Sequence, residues 1–140
     1  MKERELIRLA HEARQRAYAP YSGFQVGAAL LTKGGKTYLG CNIENAAYSP
    51  SNCAERTAFF KAISEGETEF EAIAVVGGKA GEKPGQMCTP CGVCRQVMME
   101  FCSPETFQII LEDENRGYQV FTLGDLFPLG FGPGNLRKDG

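Results

Sequence analysis

The positions of three cysteines constrain the fold more than any other feature of this sequence. Cys91 and Cys94 are separated by two residues, so on a helix their thiols lie one turn apart on the same face. Cys53 belongs to an earlier segment with its own helical pattern. Three protein ligands with a fourth position left for water are the usual catalytic zinc arrangement, whereas a structural site normally closes with four protein ligands. The sequence therefore predicts that two helix beginnings meet around one zinc ion.

Hydrophobic periodicity predicts an alternating series of helices and strands. An amphipathic helix is expected over residues 3–18, ended by Pro20, Ser22 and Gly23. Residues 33–36 (KGGK) predict a hairpin turn, and residues 77–89, with four glycines and one proline, predict a loop. The last fourteen residues are expected to be extended. Strands are predicted at 24–31, 37–42, 70–76, 107–111 and 118–122, and further helices from near Cys53 to 64, from near Pro90 to 101, and at 123–126.

This order, α-β-β-α-β-α-β-β, predicts an α/β fold with three layers, α/β/α. Its mixed sheet should have about five strands in parallel and antiparallel pairs. The length of 140 residues suits a single domain, residues 1–140, and 43% hydrophobic and 23% charged residues are ordinary globular usage. The sequence contains no internal repeat, low-complexity tract or linker.

Charge and hydropathy limit the partners that we expect. The formal net charge of -2 removes the simplest argument for a nucleic-acid partner, because phosphate binding relies on clustered Lys and Arg, so a small-molecule substrate is favoured. No stretch approaches the roughly 18 apolar residues of a membrane span, and the start, MKERELIRLA, lacks the apolar region of a signal peptide. A cytoplasmic location is therefore expected, where the six cysteines bind metal or are buried rather than forming disulfides.

Cys88 is the main competitor for the metal, since residues 88–91 (CTPC) form a second CxxC pair. Proline favours the first turn of a helix, so Pro90 predicts that Cys91 and Cys94 lie on the helix and that Cys88 lies in the loop before it. We therefore expect that Cys88 is not a ligand. The remaining candidates for a fourth ligand are Cys41, Cys102 and the single histidine, His11, which is best explained as a solvated polar position.

Glu55 and Arg56 are the residues expected to make this zinc catalytic. Residues two apart in a regular helix point about 200° apart, so Cys53 must occupy the non-helical entry if Glu55 is to share its site. Alternatively, Glu55 is only an acidic residue in the first turn of a helix, where the helix dipole favours negative charge. Three thiolates and Zn²⁺ sum to a formal charge of -1, which two helix N-termini and Arg56 are expected to offset. An ordinary surface arginine is the equally simple alternative for Arg56.

The segments CAERTA (53–58) and PCGVCRQ (90–96) match the C-x-E…P-C-x-x-C pattern of zinc-dependent nucleobase deaminases. Together with residues 18–31 and 40–49, they make the chain similar to the small homotetrameric cytidine deaminases over nearly its whole length. The resemblance implies hydrolysis of cytidine and deoxycytidine to uridine and deoxyuridine, with release of ammonia, in pyrimidine salvage. It implies one zinc ion per subunit, water activated by the metal, and Glu55 as the proton carrier.

The same resemblance implies a nucleoside pocket shared between the subunits of a homotetramer. Asn42 and Glu44 would hold the ribose hydroxyls, and they share one side of an extended segment because they are two residues apart. The chain departs from the family pattern in its longer loop, 79–89, and in Ser51-Asn52 before the first ligand. The other implied substrate residues are Phe24, which packs near the nucleoside, Ala54, whose N–H meets the base O2, and Ala46, Tyr48 and Phe131 from neighbouring subunits.

Three other functions are compatible with parts of the pattern. A structural or nucleic-acid-binding zinc module would need a fourth ligand and a basic face, neither of which is evident. A dithiol redox protein would use the CxxC pair without metal. Within the enzymes, a deaminase of a related aminopyrimidine nucleoside or of a polynucleotide base is the alternative, and residues 42–44 (NIE) favour a free nucleoside.

Overall fold

The computed structural model describes residues 2–115 and 117–137. These residues form one five-stranded sheet with strand order β2-β1-β3-β4-β5. The prediction of a mixed sheet is confirmed, because β1 is antiparallel to β2 and β3, β3 is parallel to β4, and β4 is antiparallel to β5. The elements are α1 (Lys2–Arg14), β1 (Phe24–Thr32), β2 (Thr37–Cys41), α2 (Ala54–Ser64), β3 (Phe70–Lys79), α3 (Gly92–Phe101), β4 (Gln108–Asp113), β5 (Gly117–Thr122), α4 (Leu123–Leu126) and a short 3-10 turn (Pro133–Asn135).

Helices cover both faces of the sheet, as the three-layer prediction requires. Side chains alternate along β1, so that Ala29 packs with α1 while Ala28 and Leu30 pack with α2 and α3. The α1 face is lined by small and branched residues, and the opposite face buries four aromatic rings: Tyr38, Phe59, Phe70 and Phe107. None of the helices within residues 2–115 and 117–137 is long and apolar enough to cross a membrane.

Two glycines on neighbouring strands allow the helices to approach the sheet closely. A Cβ atom at Gly27 would lie 2.0 Å from the carbonyl oxygen of Ala10 in α1. On the other face, a Cβ atom at Gly40 would lie 2.3 Å from the carbonyl oxygen of Ala54, the first residue of α2. Because backbone atoms cannot move aside singly, any larger residue at these positions displaces a helix. Gly40 thus sets the position of the beginning of α2.

Three predicted boundaries were wrong. The first helix ends at Arg14 rather than 18, because the chain leaves it to pair with residues 42–44, where Tyr18 N–H donates to the Asn42 carbonyl at 2.9 Å. Gly77 and Gly78 belong to β3 rather than to a loop, since both pair with β1. The tail is not wholly extended, because the Asn135 side chain accepts a hydrogen bond from Gly132 N–H and closes the 3-10 turn.

Candidate active site

The sulfur atoms of Cys53, Cys91 and Cys94 converge as predicted. Cys53 Sγ lies 3.7 Å from Cys91 Sγ, which lies 3.5 Å from Cys94 Sγ, and all three lie within 4.8 Å of one another. A tetrahedral zinc ion with Zn–S bonds of about 2.3 Å separates its sulfur ligands by about 3.8 Å. The observed spacing and the soft thiolate donors therefore fit zinc. Within residues 2–115 and 117–137, no other group of three Cys, His, Asp or Glu side chains brings its ligand atoms this close.

The beginnings of α2 and α3 supply all three sulfurs. Cys53 is the N-cap of α2 with extended backbone angles, φ -78° and ψ 156°, so the expected non-helical entry is confirmed. Cys91 was predicted to lie on the helix but is the N-cap of α3, which begins only at Gly92; Cys94 is its third residue. An N-cap side chain naturally reaches the third helical residue. Neither N-cap sulfur accepts a capping hydrogen bond from the backbone N–H groups of its own helix, so both sulfurs can face the metal.

Hydrogen bonds to backbone groups hold these two helix beginnings in place. Ile43 and Asn52 exchange N–H to carbonyl bonds of 2.9 and 2.8 Å, which close the loop between them directly before Cys53. Arg95 Nε donates to the Pro90 carbonyl at 2.7 Å, and its Nη1 donates to the Leu126 carbonyl. Arg95 was not identified from the sequence, and it ties the start of α3 to α4.

The charge of the sulfurs is balanced by Arg56. Arg56 Nη2 donates to Cys53 Sγ at 3.2 Å. The pKa of Cys53 is lowered to about 5, because the thiols of Cys94 and Cys91 and the Arg56 guanidinium all donate to its sulfur. Both Cys53 and Cys91 also lie at helix N-termini, where the dipole favours negative charge. These hydrogen bonds and the helix dipole thus favour the thiolate form of Cys53.

Glu55 lies beside the sulfurs and is only 4% exposed. It forms no ion pair with any residue in the described parts of the chain. The pKa of Glu55 is raised to about 7, chiefly by burial; the neighbouring Cys53 thiolate also raises it, while a hydrogen bond from the backbone of Glu55 and the charge of Arg56 lower it. A carboxyl group with a pKa near neutrality can both accept and donate a proton at physiological pH.

A cavity of about 330 Å³ opens above the sulfurs. Its volume is at the lower end of the range for small-molecule sites. Seven of its lining residues were predicted from the sequence as site residues: Asn42, Glu44, Cys53, Ala54, Glu55, Arg56 and Cys91. The other five lining residues are Val26, Ser51, Asn52, Cys88 and Thr89.

Sequence reasoning did not assign these five residues to a pocket, although two of them had a usable signal. Val26 is two residues after Phe24 on the same strand, so both lie on the same side of β1. Thr89 directly precedes the Pro90-Cys91 pair. Nothing in the local pattern distinguishes Ser51 and Asn52 from ordinary turn residues.

Asn42 and Glu44 lie at the cavity rim and are fixed by hydrogen bonds. Asn42 Oδ1 accepts from Val26 N–H at 2.9 Å, and its Nδ2 donates to the Phe24 carbonyl at 2.8 Å. The Glu44 carboxylate accepts from the hydroxyl and the N–H of Ser22 and from Tyr21 N–H, which lowers the pKa of Glu44. Both side chains are therefore held in position and keep unused hydrogen-bonding capacity.

Four of the predicted substrate residues lie outside the cavity of their own chain. Phe24 is 40% exposed at the start of β1, Tyr48 is 74% exposed, and Phe131 is 55% exposed. Ala46 is exposed in the loop that precedes α2. Tyr48 has a positive φ of 65° and packs edge-on against Tyr21.

Cys88 lines the cavity but does not belong to the sulfur cluster. It packs against Gly77, where a Cβ atom would lie 2.7 Å from Cys88 Sγ. Burial raises the pKa of Cys88 to about 12, so it stays a neutral thiol. The other cysteines, Cys41 and Cys102, also lie outside the cluster, and His11 Nε2 lies 2.8 Å from Glu112 Oε1.

Comparison with known proteins agrees with this geometry. Residues 1–110 match the family described as the cytidine and deoxycytidylate deaminase zinc-binding region. The chain is 47% identical over 132 residues to a cytidine deaminase of Sporosarcina psychrophila, covering 94% of this chain and 93% of the relative. It is 49% identical over 131 residues to a cytidine deaminase of Halalkalibacterium halodurans, covering 94% and 95%.

Solved structures agree as well. A crystal structure of cytidine deaminase from Burkholderia pseudomallei superposes with a TM-score of 0.83 at 48% identity, covering 94% of this chain and all of that one. Cytidine deaminase from Mycobacterium tuberculosis superposes with a TM-score of 0.79 at 36% identity, covering 94% and 98%. The fold and the three-sulfur site define a zinc-binding α/β protein. The chain belongs to the cytidine and deoxycytidylate deaminase zinc-binding family.

The position of Cys88 outside the sulfur cluster yields a metal-binding prediction. Cys88→Ser should keep one zinc ion per chain, because its sulfur contributes nothing to the cluster. Cys91→Ser is the matched control in the same CxxC pair and should lose most of its zinc. Zinc is measured by atomic absorption on the purified proteins. Loss of metal from Cys88→Ser would contradict the ligand assignment.

Proposed function

We propose that this protein is a zinc-dependent cytidine deaminase. It hydrolyses cytidine and deoxycytidine to uridine and deoxyuridine with release of ammonia, a reaction of pyrimidine salvage. The observation that carries the proposal is the buried carboxyl of Glu55, which shares a nucleoside-sized cavity with the three-sulfur site. The curated relatives with 47% and 49% identity carry the same activity in their names.

Cys53, Cys91 and Cys94 would hold the zinc ion, one in each subunit. When bound, zinc supplies a Lewis acid that makes water a nucleophile near neutral pH. The remaining chemistry belongs to residues of the chain. Arg56 offsets the negative charge of the thiolates through its bond to Cys53, which keeps the site from becoming too electron-rich to activate water.

Glu55 is the proton carrier in this proposal. It accepts the proton of the water that attacks C4 of the pyrimidine and delivers protons to N3 and to the departing amine. The net result is that the bond between C4 and the exocyclic amine nitrogen breaks, a carbonyl forms at C4, and ammonia leaves. As the first residue of α2, Ala54 has a backbone N–H without a partner inside the helix, and this group would donate to the base O2.

Asn42 and Glu44 would bind the sugar. Their hydrogen-bonded side chains hold polar atoms at the cavity rim, where ribose hydroxyls need both donors and acceptors. The Glu44 carboxylate, whose pKa is lowered, is negative at neutral pH and would repel a 5′-phosphate. A free nucleoside is therefore favoured over a nucleotide, and a related aminopyrimidine nucleoside is the alternative substrate.

We further propose a cytoplasmic homotetramer in which each pocket is completed by neighbouring subunits. Phe24, Tyr48 and Phe131 are large, exposed aromatic residues, which are typical of subunit interfaces. Ala46 lies near Tyr48 in the same loop and would join them. A reducing compartment suits the site, because zinc binding needs the thiols free. The two core clusters on one sheet are consistent with one deaminase domain over residues 1–140.

Replacing the proposed proton carrier tests the chemistry. Glu55→Gln keeps the shape and burial of the side chain but cannot carry a proton, so ammonia release from cytidine should fall by about a hundredfold or more. Zinc content should stay at one per chain, because Glu55 is not a ligand. Glu65→Gln, at the C-cap of the same helix and away from the cavity, is the control and should keep full activity. Equal activity of Glu55→Gln and wild type would refute the proposal.

The shared pocket is tested by mixing two defective chains. Glu55→Gln and Tyr48→Ala proteins should each be nearly inactive, because the first lacks the proton carrier and the second lacks a wall of its neighbour's pocket. Co-expressed, they should form mixed tetramers in which some pockets are intact, with activity well above the sum of the two. Activity equal to that sum, or a fully active single subunit on gel filtration, would refute the shared pocket.

A further inference from the structure

Arg14, the last residue of α1, is a buried cation that the proposed reaction does not use. It is only 5% exposed, and none of the ion pairs within the described residues involves it. Burying a charge is costly unless hydrogen bonds satisfy it. The Arg14 guanidinium donates to four backbone carbonyls: Gln25 at 3.0 Å, Gly78 at 3.0 Å, Lys79 at 2.8 Å and Glu82 at 3.0 Å.

These carbonyls mark the place where the chain leaves the sheet. Gln25 and Gly78 are cross-strand partners in β1 and β3, Lys79 is the last residue of β3, and Glu82 lies in the segment that follows. The guanidinium therefore joins two strands to the first turn of the loop 80–89. Charge-assisted hydrogen bonds of this kind are about twice as strong as neutral ones.

The same loop then passes from one face of β3 to the other, because Gly78 and Gly77 point to opposite faces, and it ends in the wall of the active-site cavity. Pro84 packs so closely on Gly78 that a Cβ atom there would lie 3.0 Å from Pro84 Cα. Further along, the thiol of Cys88 packs on Gly77, and both Cys88 and Thr89 line the cavity. The loop thus contacts the sheet at successive points between the Arg14 anchor and the cavity wall.

We propose that Arg14 is a positioning residue that holds the loop 80–89 against β3 and thereby fixes the Cys88–Thr89 wall of the substrate pocket. Arg14 itself does not line that cavity, so it acts only through the loop. The inference rests on the proposed nucleoside deaminase function. A shorter or neutral side chain could not satisfy carbonyls from three segments at once.

The proposal predicts a specific kinetic pattern. Without its anchor, the pocket wall is no longer pre-organised, so substrate binding should weaken while the sulfur cluster and Glu55, held by α2 and α3, stay intact. Arg14→Met keeps the apolar stem but removes all donors. KM for cytidine should then rise about tenfold, roughly the factor for one lost charge-assisted hydrogen bond, with kcat changed less than threefold.

Two further substitutions separate positioning from plain stability. Arg14→Lys keeps a cation with three N–H donors and should recover part of the wild-type KM. Gly78→Ala keeps the Arg14 side chain but puts a methyl group 3.0 Å from Pro84 Cα and 3.4 Å from Arg14 Nη2, so it should displace the loop and raise KM in the same way. Arg8→Met is the control, because Arg8 is on the same helix but exposed and paired only with Glu5 and Glu12.

The experiment uses the full-length, zinc-loaded proteins and measures kcat, KM, zinc content and the rate of trypsin cleavage after Lys79. Cleavage there requires release of the carbonyl that Arg14 binds, and its rate does not depend on activity. We expect faster cleavage and higher KM in Arg14→Met and Gly78→Ala, partial recovery in Arg14→Lys, and wild-type values in Arg8→Met, with full zinc throughout.

Unchanged KM and cleavage rate in Arg14→Met would overturn the inference, as would equal damage by Arg14→Lys and Arg14→Met. If Arg14→Met fails to fold, the inference is tested with Gly78→Ala instead. A wild-type KM in Gly78→Ala would also overturn the inference. Failure of the proposed function looks different, because the wild-type protein would then release no ammonia from cytidine while trypsin still distinguished the variants.

Discussion

The N-termini of α2 and α3 meet at three sulfur atoms, and the arrangement of the site depends on holding them there. Cys53 and Cys91 are N-caps with extended backbone angles whose sulfurs are free of capping hydrogen bonds to the helix backbone. Gly40 allows α2 to sit against β2, and Arg95 ties the start of α3 to α4. The sheet therefore serves as a rigid support on which two helix ends are brought within bonding distance of one metal ion.

This arrangement also determines the electrostatics of the cavity. The helix ends and Arg56 supply the positive charge that favours a thiolate at the half-buried Cys53. The same burial raises the pKa of Glu55 towards neutrality, where a carboxyl group is useful as a proton carrier. One local geometry thus favours metal binding and proton transfer together, and Asn42 and Glu44 define the polar rim where a sugar would lie.

The sequence was sufficient to predict the strands, the layers and the metal-binding trio, because each depends on a short local pattern. Glu55 had to share a site with Cys53, and the geometry of a helix then required Cys53 to lie at its entry. Cys91 was misplaced by one residue, since the preference of proline for a helix start does not say whether the next residue is the N-cap. The sequence pattern wrongly placed Gly77 and Gly78 in a loop. Glycine is needed at these strand positions because Cys88 and Pro84 pack against them, and such contacts between distant residues cannot be predicted from a local pattern. Likewise, the four carbonyl partners of Arg14 come from segments that only the folded chain brings together.

We propose that three sulfurs hold the zinc ion, with a fourth position left open for water. X-ray absorption spectroscopy at the zinc edge of the purified protein tests it directly. We expect the zinc ion to have three sulfur neighbours at about 2.3 Å and one oxygen neighbour at about 2.0 Å. Four sulfur neighbours would contradict it, because Cys88 or another thiol would then close the site and leave no place for the attacking water.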